Sequence, residues 1–496
     1  MKRRRWLSIC LLLLAIHWLT APAFAGPYIA PGDLALRHDI QLLADYGVIA
    51  GTVTSWPLSW GAIISDIEHY DDAAALPDDV EDALARIRAR ARRVTRLDEV
   101  QFSSRLAVAE RPTAIRSFQN TPREDAEFGI GVSWTGKRFS INLAATVVDS
   151  PKDTKEYRAD GSAIGMAIGN FTLAASAMDR WWGPGWDGSL ILSSNARPVP
   201  ALVIDRNLTR PFKSRLLRWI GPWDLSLIFG RLEGDRAIRD ARFFGMRVNF
   251  RPLSSLEIGL SRTAQWCGGD RPCDFDTFID LLSGKDNVGD AGVILANEPG
   301  NQLAGVDFRW SNHWFSRPMA FYGQFIGEDE SGGFPSRYLG QGGIEFSGMT
   351  RKGGSYRWFA ELAVTNCKFF ESLLFNCAYN HGIYQTGYRF RGRAIGHGAD
   401  NDARTASLGL IFVSDRANSF HLLLRGGQLN RGGAPDPRNT LTATPQDFIG
   451  LDFSLSRRAG RGAIDFGLGY ERIDDSLTSL ANEDARAWLR WQSNEF

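Results

Sequence analysis

The sequence has no excess of charge of either sign and, beyond residue 25, no long apolar run. Lys and Arg number 57 against 56 Asp and Glu, so the formal net charge is +1. This balance argues against a general nucleic-acid-binding protein, which carries a basic excess. A transmembrane helix needs roughly 18 consecutive apolar residues, and no such stretch follows residue 25. The slightly negative mean hydropathy agrees, but it leaves a membrane β-barrel open because only alternate barrel residues face lipid.

Recognisable catalytic motifs are also missing. The histidines after residue 25 are His38, His69, His313, His381, His397 and His421. None has the H-E-x-x-H spacing, and neither a G-x-S-x-G elbow nor a P-loop occurs. An acidic stretch lacks the spacing of an EF-hand and is interpreted as a solvated loop; it contains Asp270, Asp274, Asp276 and Asp280. The sequence therefore predicts a protein that is not an enzyme and has neither a metal site nor a cofactor.

The first 25 residues have the pattern of an export signal. Residues 2–5 are basic, residues 6–19 are apolar, and Ala23, Phe24 and Ala25 form a small-x-small cleavage site. This pattern predicts a secretory signal peptide at 1–25 that is cleaved before Gly26. We therefore expect a Gram-negative outer-membrane, periplasmic or secreted protein.

Four cysteines follow the signal segment, in two local pairs. Cys267 lies close to Cys273, and Cys367 lies close to Cys377. An oxidising compartment permits both pairs to form disulfides. The alternative, a four-cysteine zinc site, normally uses C-x2–4-C spacing, which neither pair has. The spacing therefore favours two disulfides.

Residues 26–98 have helical periodicity. Asp33 is a candidate cap for a helix that Gly47 ends, Ser59 is a candidate cap for a second helix, and Pro77 suits the first turn of a third. These features predict a small bundle of three helices. The bundle is either a cap without chemistry of its own or part of the functional site.

From residue 99 to residue 496 the hydrophobic period changes to two. Apolar side chains alternate with glycine or charged residues, for example at 449–455 and 464–470. A β-sandwich also alternates, and a propeller would show a repeat for each blade. About eighteen such segments, many with aromatic ends, favour an all-β transmembrane barrel of antiparallel strands.

The strand count also predicts which connections lie at each end of the barrel. We count 163–175 as one strand and 187–195 as another, which places the turn at 179–186 on the periplasmic side. An even number of strands requires 365–405 to be one large outer loop. Both cysteine pairs then lie in outer loops.

The densest unusual segment contains three tryptophans around a Gly-Pro-Gly turn. Its candidate polysaccharide-binding residues are Asp179, Arg180, Trp181, Trp182 and Trp186. Indole rings stack on the apolar faces of sugars, while polar side chains bind their hydroxyl groups. The alternative is that these tryptophans anchor the membrane interface or pack on the helical bundle.

A second candidate segment interleaves aromatic residues with arginines. It contains Tyr384, Tyr388, Arg389 and Arg391. Arginine forms bidentate contacts with carboxylates such as those of uronic acids, which favours an acidic polysaccharide as ligand. The alternative is a solvated hairpin that packs on neighbouring loops.

The barrel interior is also expected to contain charges. The expected lumen residues are Arg247, Glu257, Asp307, Arg309, Glu361 and Asp452. Such charges either line a pore or form structural pairs within a plugged barrel.

Eight short motifs, spread over residues 33–400, occur together. They are Leu36-Arg37-His38-Asp39-Ile40, Leu43-Ala44-Asp45-Tyr46-Gly47-Val48-Ile49, Trp56-Pro57-Leu58-Ser59-Trp60, Trp181-Trp182-Gly183-Pro184, Ser194-Asn195-Ala196-Arg197-Pro198, Asn301-Gln302-Leu303-Ala304-Gly305, Asp307-Phe308-Arg309 and Gly387-Tyr388-Arg389-Phe390-Arg391-Gly392. In this combination the sequence resembles the capsule assembly Wzi family of outer-membrane proteins.

The resemblance implies an eighteen-stranded barrel with a helical bundle at its periplasmic mouth. It implies a lectin that binds capsular or exopolysaccharide and attaches it to the cell surface, and it adds Asn195 and Arg197 to the candidate binding residues. The expected partners are this polysaccharide, outer-membrane lipid and the polysaccharide export machinery. A diffusion channel is the alternative function.

Overall fold

The computed structural model describes residues 28–71, 75–283, 298, 300–331, 334–351, 353–368, 373–432, 438–460 and 462–493. The segment predicted as a signal peptide, 1–25, lies outside the described residues. No described helix is long and apolar enough to cross a membrane.

The N-terminal part contains three helices, as the helical periodicity predicts. Asp33 caps the first helix by accepting a hydrogen bond from the Leu36 backbone N–H at 2.9 Å, and Ser59 caps the second. The elements of this part are β1 (Tyr28–Ile29), α1 (Leu34–Asp45), β2 (Ser55–Trp56), β3 (Leu58–Ser59), α2 (Trp60–His69) and α3 (Asp78–Val94).

The rest of the chain forms a closed antiparallel barrel. Over the described residues, eighteen strands pair with their neighbours, and the last strand closes the barrel on the first through Ala487 opposite Glu110. The fold class predicted from the sequence is therefore confirmed. In chain order the elements are β4 (Val100–Glu110), β5 (Ala126–Thr135), β6 (Phe139–Asp149), β7 (Tyr157–Arg158), β8 (Ala163–Ile168), β9 (Phe171–Ser176), β10 (Trp181–Trp182), β11 (Ala201–Arg206), β12 (Trp223–Arg231), β13 (Arg242–Leu253), β14 (Leu256–Trp266), α4 (Phe275–Ser283), β15 (Gly300–Trp314), β16 (Arg317–Ser331), β17 (Phe334–Met349), β18 (Ser355–Val364), β19 (Arg389–Phe390), β20 (Arg393–Ala394), β21 (Arg404–Val413), β22 (Ser419–Leu429), β23 (Gln446–Ala459), β24 (Gly462–Asp475) and β25 (Ala481–Ser493). The short strands β7, β10, β19 and β20 are not counted among the eighteen.

The alternation in the sequence is the alternation between the two faces of the barrel wall. Ile449, Leu451 and Leu455 of β23 are exposed on the outside, while Ser454 of the same strand is buried inside. Successive strand residues point to opposite faces, so one parity meets lipid and the other meets the interior.

The two ends of the barrel differ in the length of their connections. Most connections at the end where β4 begins are short, such as 254–255, 315–316 and 414–418. The opposite end carries longer connections, including 111–125, 177–200, 267–299, 365–403 and 430–445. We call these the short-turn end and the long-loop end. Both cysteine pairs lie in connections of the long-loop end and form disulfides, as predicted.

Two strand predictions are wrong, and their errors cancel in the total. Residues 163–175 form two strands, β8 and β9, joined by a turn at Gly169 and Asn170. Residues 187–195 are not a barrel strand but part of a segment that folds into the lumen. Because the chain crosses the wall once more before residue 177, the turn at 179–186 starts from the long-loop end, opposite to the end that the predicted strand count gave it.

Helix α1 lies inside the barrel wall at the short-turn end. Its Asp45 carboxylate is 2.6 Å from the Arg309 guanidinium of β15, and its His38 Nε2 is 2.8 Å from the Ser355 Oγ of β18. Helix α3 joins the rim of the same end through the ion pair of Asp79 with Arg317, 2.9 Å long. The helices are therefore fixed to the strands by buried polar contacts.

Candidate functional site

Residues 177–200 enter the lumen from the long-loop end and meet the N-terminal unit there. Strand β10 pairs with β2, so that Trp181 lies opposite Trp56. The Phe118 ring contacts both of these indoles edge-on, with centroids 5.2–5.3 Å apart. Trp181 and Trp182 are completely buried. The tryptophan motif therefore packs on the N-terminal unit, which the sequence left open beside sugar binding and anchoring at the membrane interface.

Two glutamates of the wall hold the Gly-Pro-Gly turn. The Glu361 carboxylate accepts the backbone N–H groups of Trp186 and Gly188 at 2.9 and 2.8 Å. The Trp186 indole N–H donates to Glu345, and the Arg37 guanidinium lies 4.1 Å from the Trp186 ring centroid. These contacts join the turn, the wall and helix α1 in one buried network.

A residue larger than glycine does not fit at position 188. A Cβ there would lie 2.2 Å from the His397 Nε2. The backbone of the turn therefore lies directly against the His397 ring of the connection 365–403, and this close approach requires glycine at position 188.

The remaining candidates near this segment are also held by protein contacts. Arg180 is paired with Asp205 of β11 at 3.1 Å, and the Asn195 side chain donates to the Ala394 carbonyl at 2.9 Å. Arg197 is paired with Asp153 and Asp160 at 2.6 and 2.7 Å, and Asp179 lies 3.4 Å from Arg123. The structure brings these residues together as the floor beneath the long loops.

The expected lumen charges form pairs or accept hydrogen bonds in the structure. Arg247 and Asp307 are 2.6 Å apart, Arg309 pairs with Asp45 and Glu345, and Asp452 pairs with Arg486 at 2.9 Å. Glu257 accepts the Thr54 backbone N–H and hydroxyl at 2.9 and 2.7 Å. Glu361 holds the turn described above.

The second candidate segment places its aromatics inward. The Tyr388 hydroxyl donates to the Ile191 carbonyl at 2.8 Å, and the Tyr384 hydroxyl donates to the Cys267 carbonyl at 3.3 Å. Arg389 is buried and forms a two-point pair with Asp400, at 2.7 and 3.0 Å. In this arrangement neither ring is open to a sugar, and the guanidinium of Arg389 is occupied.

The tip of the same segment is a small hairpin whose turn is partly exposed. Strands β19 and β20 pair, and the two residues between them, Arg391 and Gly392, both have positive φ angles of 52° and 74°. This is the backbone of a two-residue primed turn, which glycine favours. Arg391 is only half-buried as a result.

Lys152 of the connection 150–162 lies near Arg393 of this hairpin, and Arg391 stands at its tip. We call Lys152, Arg391 and Arg393 the cationic patch. Burial lowers the pKa of Arg393 to about 10, and the nearby Arg123 contributes to the shift. Burial, followed by repulsion from Arg393, lowers the pKa of Lys152.

No member of the patch is paired with a carboxylate among the described residues. The nearby Glu124 is held by Arg158 at 2.5 Å. Positive charge that neighbouring carboxylates balance only in part suits an anionic ligand.

The lumen beside the helices contains a polar cavity of about 500 Å³. Its lining includes Ser103, Ser133, Asn142 and Glu127. On the side of the long loops it meets Arg123, which donates to the carbonyls of 194 and 195 at 2.8 Å. No group of three metal-ligating side chains occurs among the described residues.

Comparison with known proteins agrees with this architecture. The profile of the family described as capsule assembly protein Wzi matches residues 99–485. The chain belongs to the Wzi family. The resemblance inferred from the sequence motifs is thereby confirmed, and the Wzi family is not a family of enzymes, as the missing catalytic motifs predict.

Two relatives illustrate the range of the Wzi family. An uncharacterized 55.8 kDa protein in the cps region of Klebsiella pneumoniae is 32% identical over 333 residues. That match covers 66% of this chain but only 63% of the relative's length. The solved structure of Escherichia coli Wzi, an outer-membrane carbohydrate-binding β-barrel involved in group 1 capsule assembly, is 25% identical and has a TM-score of 0.82. It covers 94% of this chain and 99% of its own.

Two members of the cationic patch were not among the candidates chosen from the sequence of this Wzi-family chain. Lys152 stands between Pro151 and Asp153, and nothing in that local pattern indicates a site. Arg393 is the last residue of the aromatic–arginine segment 384–393, so the sequence pattern did indicate it, although it was not chosen as a candidate.

Proposed function

We propose that this protein is an outer-membrane lectin that binds capsular or exopolysaccharide at its long-loop end and attaches the polymer to the cell surface. The description of Escherichia coli Wzi as an outer-membrane carbohydrate-binding barrel supports the proposal. Long loops of outer-membrane barrels face outward and short turns face the periplasm, which orients the long-loop end toward the polymer. The polysaccharide export machinery is the further partner that we propose.

The observation that carries the proposal is the cationic patch. Its members form no ion pair with a carboxylate among the described residues and lie at the long-loop end, with Lys152 in the connection 150–162. Arg391 and Arg393 stand on a hairpin held by the buried pair of Arg389 with Asp400. Guanidinium and ammonium groups bind carboxylates with charge-assisted hydrogen bonds, so the patch favours an acidic polysaccharide. Weak contacts repeated along a polymer add up through avidity.

The buried candidates have a supporting role in this proposal. Trp181, Trp182, Trp186, Tyr384 and Tyr388 lie beneath the loops, where they fix the floor on which the patch stands. Together with residues 26–98, which we propose to be a periplasmic unit closing the barrel of 99–496, they fill much of the lumen. This filling favours a lectin over a diffusion channel.

The test compares the purified full chain with a variant of the patch. Acidic exopolysaccharide from the producing cells is immobilised, and neutral dextran serves as the reference polymer. We expect Lys152→Gln with Arg391→Gln to weaken binding by about tenfold or more, since each lost charged hydrogen bond is worth about 1.5–3 kcal/mol.

A matched control removes the same number of positive charges from another part of the long-loop end. Arg239→Gln with Arg404→Gln removes two exposed basic groups from the same end, outside the patch, and we expect nearly unchanged binding. If the patch variant binds like the wild type, or if both variants lose affinity equally, the patch is not the site.

A further inference from the structure

One connection at the short-turn end is unlike the others. Residues 207–222 join β11 to β12, whereas the other connections at this end, such as 254–255 and 350–354, are much shorter. Its base is fixed to the barrel by two backbone hydrogen bonds. The Trp223 N–H donates to the Thr209 carbonyl at 3.2 Å, and the Arg251 N–H donates to the Pro222 carbonyl at 2.9 Å. Between these anchor points residues 218–220 contact β13, and the Arg210 guanidinium donates to the Ser65 Oγ of α2 at 3.4 Å.

The segment is basic and has no acidic residue. It contains Arg210, Lys213, Arg215 and Arg218, and neither Asp nor Glu occurs from 206 to 223. All four basic side chains are exposed, and within the described part of the chain none is paired with a carboxylate. This is a local excess of four positive charges on a chain that is nearly neutral as a whole.

The same segment exposes large apolar side chains beside its charges. Leu216 is 79% exposed and Trp219 is 65% exposed, and Leu217 is exposed as well. A short 3-10 helix, Arg218–Ile220, carries Trp219. Large apolar groups left open to water are costly unless a partner covers them.

The root of the segment lies on the lipid-facing side of the wall. Trp223 has the same strand parity as the outward-facing Phe229 of β12, and Arg206 has the parity of the outward-facing Leu202 of β11. The Arg206 guanidinium lies 3.8 Å from the Trp223 ring centroid, and Phe212 stacks on this indole at 4.6 Å. The segment therefore starts from the outer surface of the barrel and not from the lumen.

We propose that residues 207–222 are an interfacial anchor that binds the anionic phospholipids of the periplasmic leaflet. Trp and Leu side chains enter the boundary between headgroups and acyl chains, while Lys and Arg bind the phosphates. Both features occur here on one segment, at the short-turn end and on the lipid side. This inference does not depend on polysaccharide binding.

The first test counts bound lipids by native mass spectrometry. The full chain in a neutral detergent is titrated with phosphatidylglycerol and with phosphatidylcholine of the same acyl chains. We expect the wild type to prefer phosphatidylglycerol by about tenfold. Lys213→Gln with Arg215→Gln and Arg218→Gln should abolish that preference.

The matched control removes three exposed basic groups from short turns of the same end, Lys137, Arg351 and Arg416, by the same change to glutamine. We expect this control to keep the preference. An equal loss in control and variant, or no preference in the wild type, overturns the proposal. Lipopolysaccharide bound in place of phosphatidylglycerol, and lost in the same variant, overturns the assignment to the periplasmic leaflet.

The second test locates Trp219. The wild type and Trp219→Phe are reconstituted in vesicles that contain brominated phosphatidylglycerol, and the difference between their emission spectra isolates Trp219. We expect the bromine atoms to quench this difference signal and aqueous iodide to leave it unchanged. Quenching by iodide alone places Trp219 in water, fits a protein partner instead and contradicts the proposal.

Discussion

Asp187 and Arg425 form a buried ion pair that joins the inward-folding segment to strand β22. The Arg425 guanidinium donates two hydrogen bonds to the carboxylate, from Nη2 at 2.5 Å and from Nε at 3.0 Å. Burial alone would raise the pKa of Asp187, but the charge of Arg425 outweighs it and holds the pKa below its usual range. The segment that fills the lumen is therefore fixed to the wall by an ion pair that is almost completely buried.

Removing only one charge of this pair should lower the free energy of unfolding strongly. Asp187→Asn leaves the buried Arg425 charge without its paired carboxylate, and we expect a loss of about 3–5 kcal/mol in the free energy of unfolding. Urea unfolding in lipid vesicles measures it. Asp187→Asn combined with Arg425→Met removes both charges and should recover much of that stability. A double variant no more stable than the single one contradicts this account.

Trp186 should matter to stability far more than an exposed apolar residue does. Its indole N–H donates to Glu345, and its ring stacks on Phe359 with centroids 5.9 Å apart. We expect Trp186→Ala to cost about 3–5 kcal/mol in the free energy of unfolding, as large core truncations do. Leu477→Ala, at an exposed site in the connection 476–480 of the long-loop end, should change it by about 0.5 kcal/mol or less. Equal losses would show that Trp186 does not hold the turn.

Acidification should weaken the packing around His397. Burial lowers the pKa of His397 to about 4, while an unfolded histidine titrates near 6.5. As the pH falls from 6.5 toward 4, the unfolded chain takes up a proton that the folded chain refuses, so stability is lost over this window. We expect His397→Asn to give a flatter dependence of the melting temperature on pH in detergent. Parallel curves for the two proteins would contradict the prediction.

The lumen should not conduct as an open pore does. The N-terminal helices and residues 177–200 occupy it, and the polar cavity meets Arg123, which donates to backbone carbonyls of that segment. In planar bilayers we therefore expect silence or brief small events, with a detergent-only addition as the control. Steady large openings would favour the diffusion channel instead.

The sequence predicts the wall well because each strand obeys a local rule. At 449–455, one face of the strand meets lipid and the other meets the barrel interior, so apolar and polar side chains must alternate. This alternation is visible in the sequence without any knowledge of the partner strands. The helix caps at Asp33 and Ser59 are similarly local, because each side chain accepts from a backbone N–H three residues away. The turn at Gly169 and Asn170 was missed because it is only two residues long and apolar residues flank it on both sides.

The interior could not be predicted in the same way. Trp181 pairs with Trp56 across 125 positions of sequence, and Tyr388 reaches the carbonyl of Ile191 across 197. Aromatic residues beside glycines and arginines have the same local pattern on a sugar-binding surface and in a plug. Only the long-range contacts show that these rings are buried, and that Arg391 and Arg393 remain near the surface.

The most direct test of the proposed attachment is the distribution of polysaccharide in a strain from which the protein has been deleted. Cell-bound and released polymer are each quantified by their uronic acid content, with a strain complemented by the wild-type chain as the control. We expect the total to stay constant while most of the polymer moves from the cells to the medium. An unchanged cell-bound fraction in the deletion strain would contradict attachment by this protein.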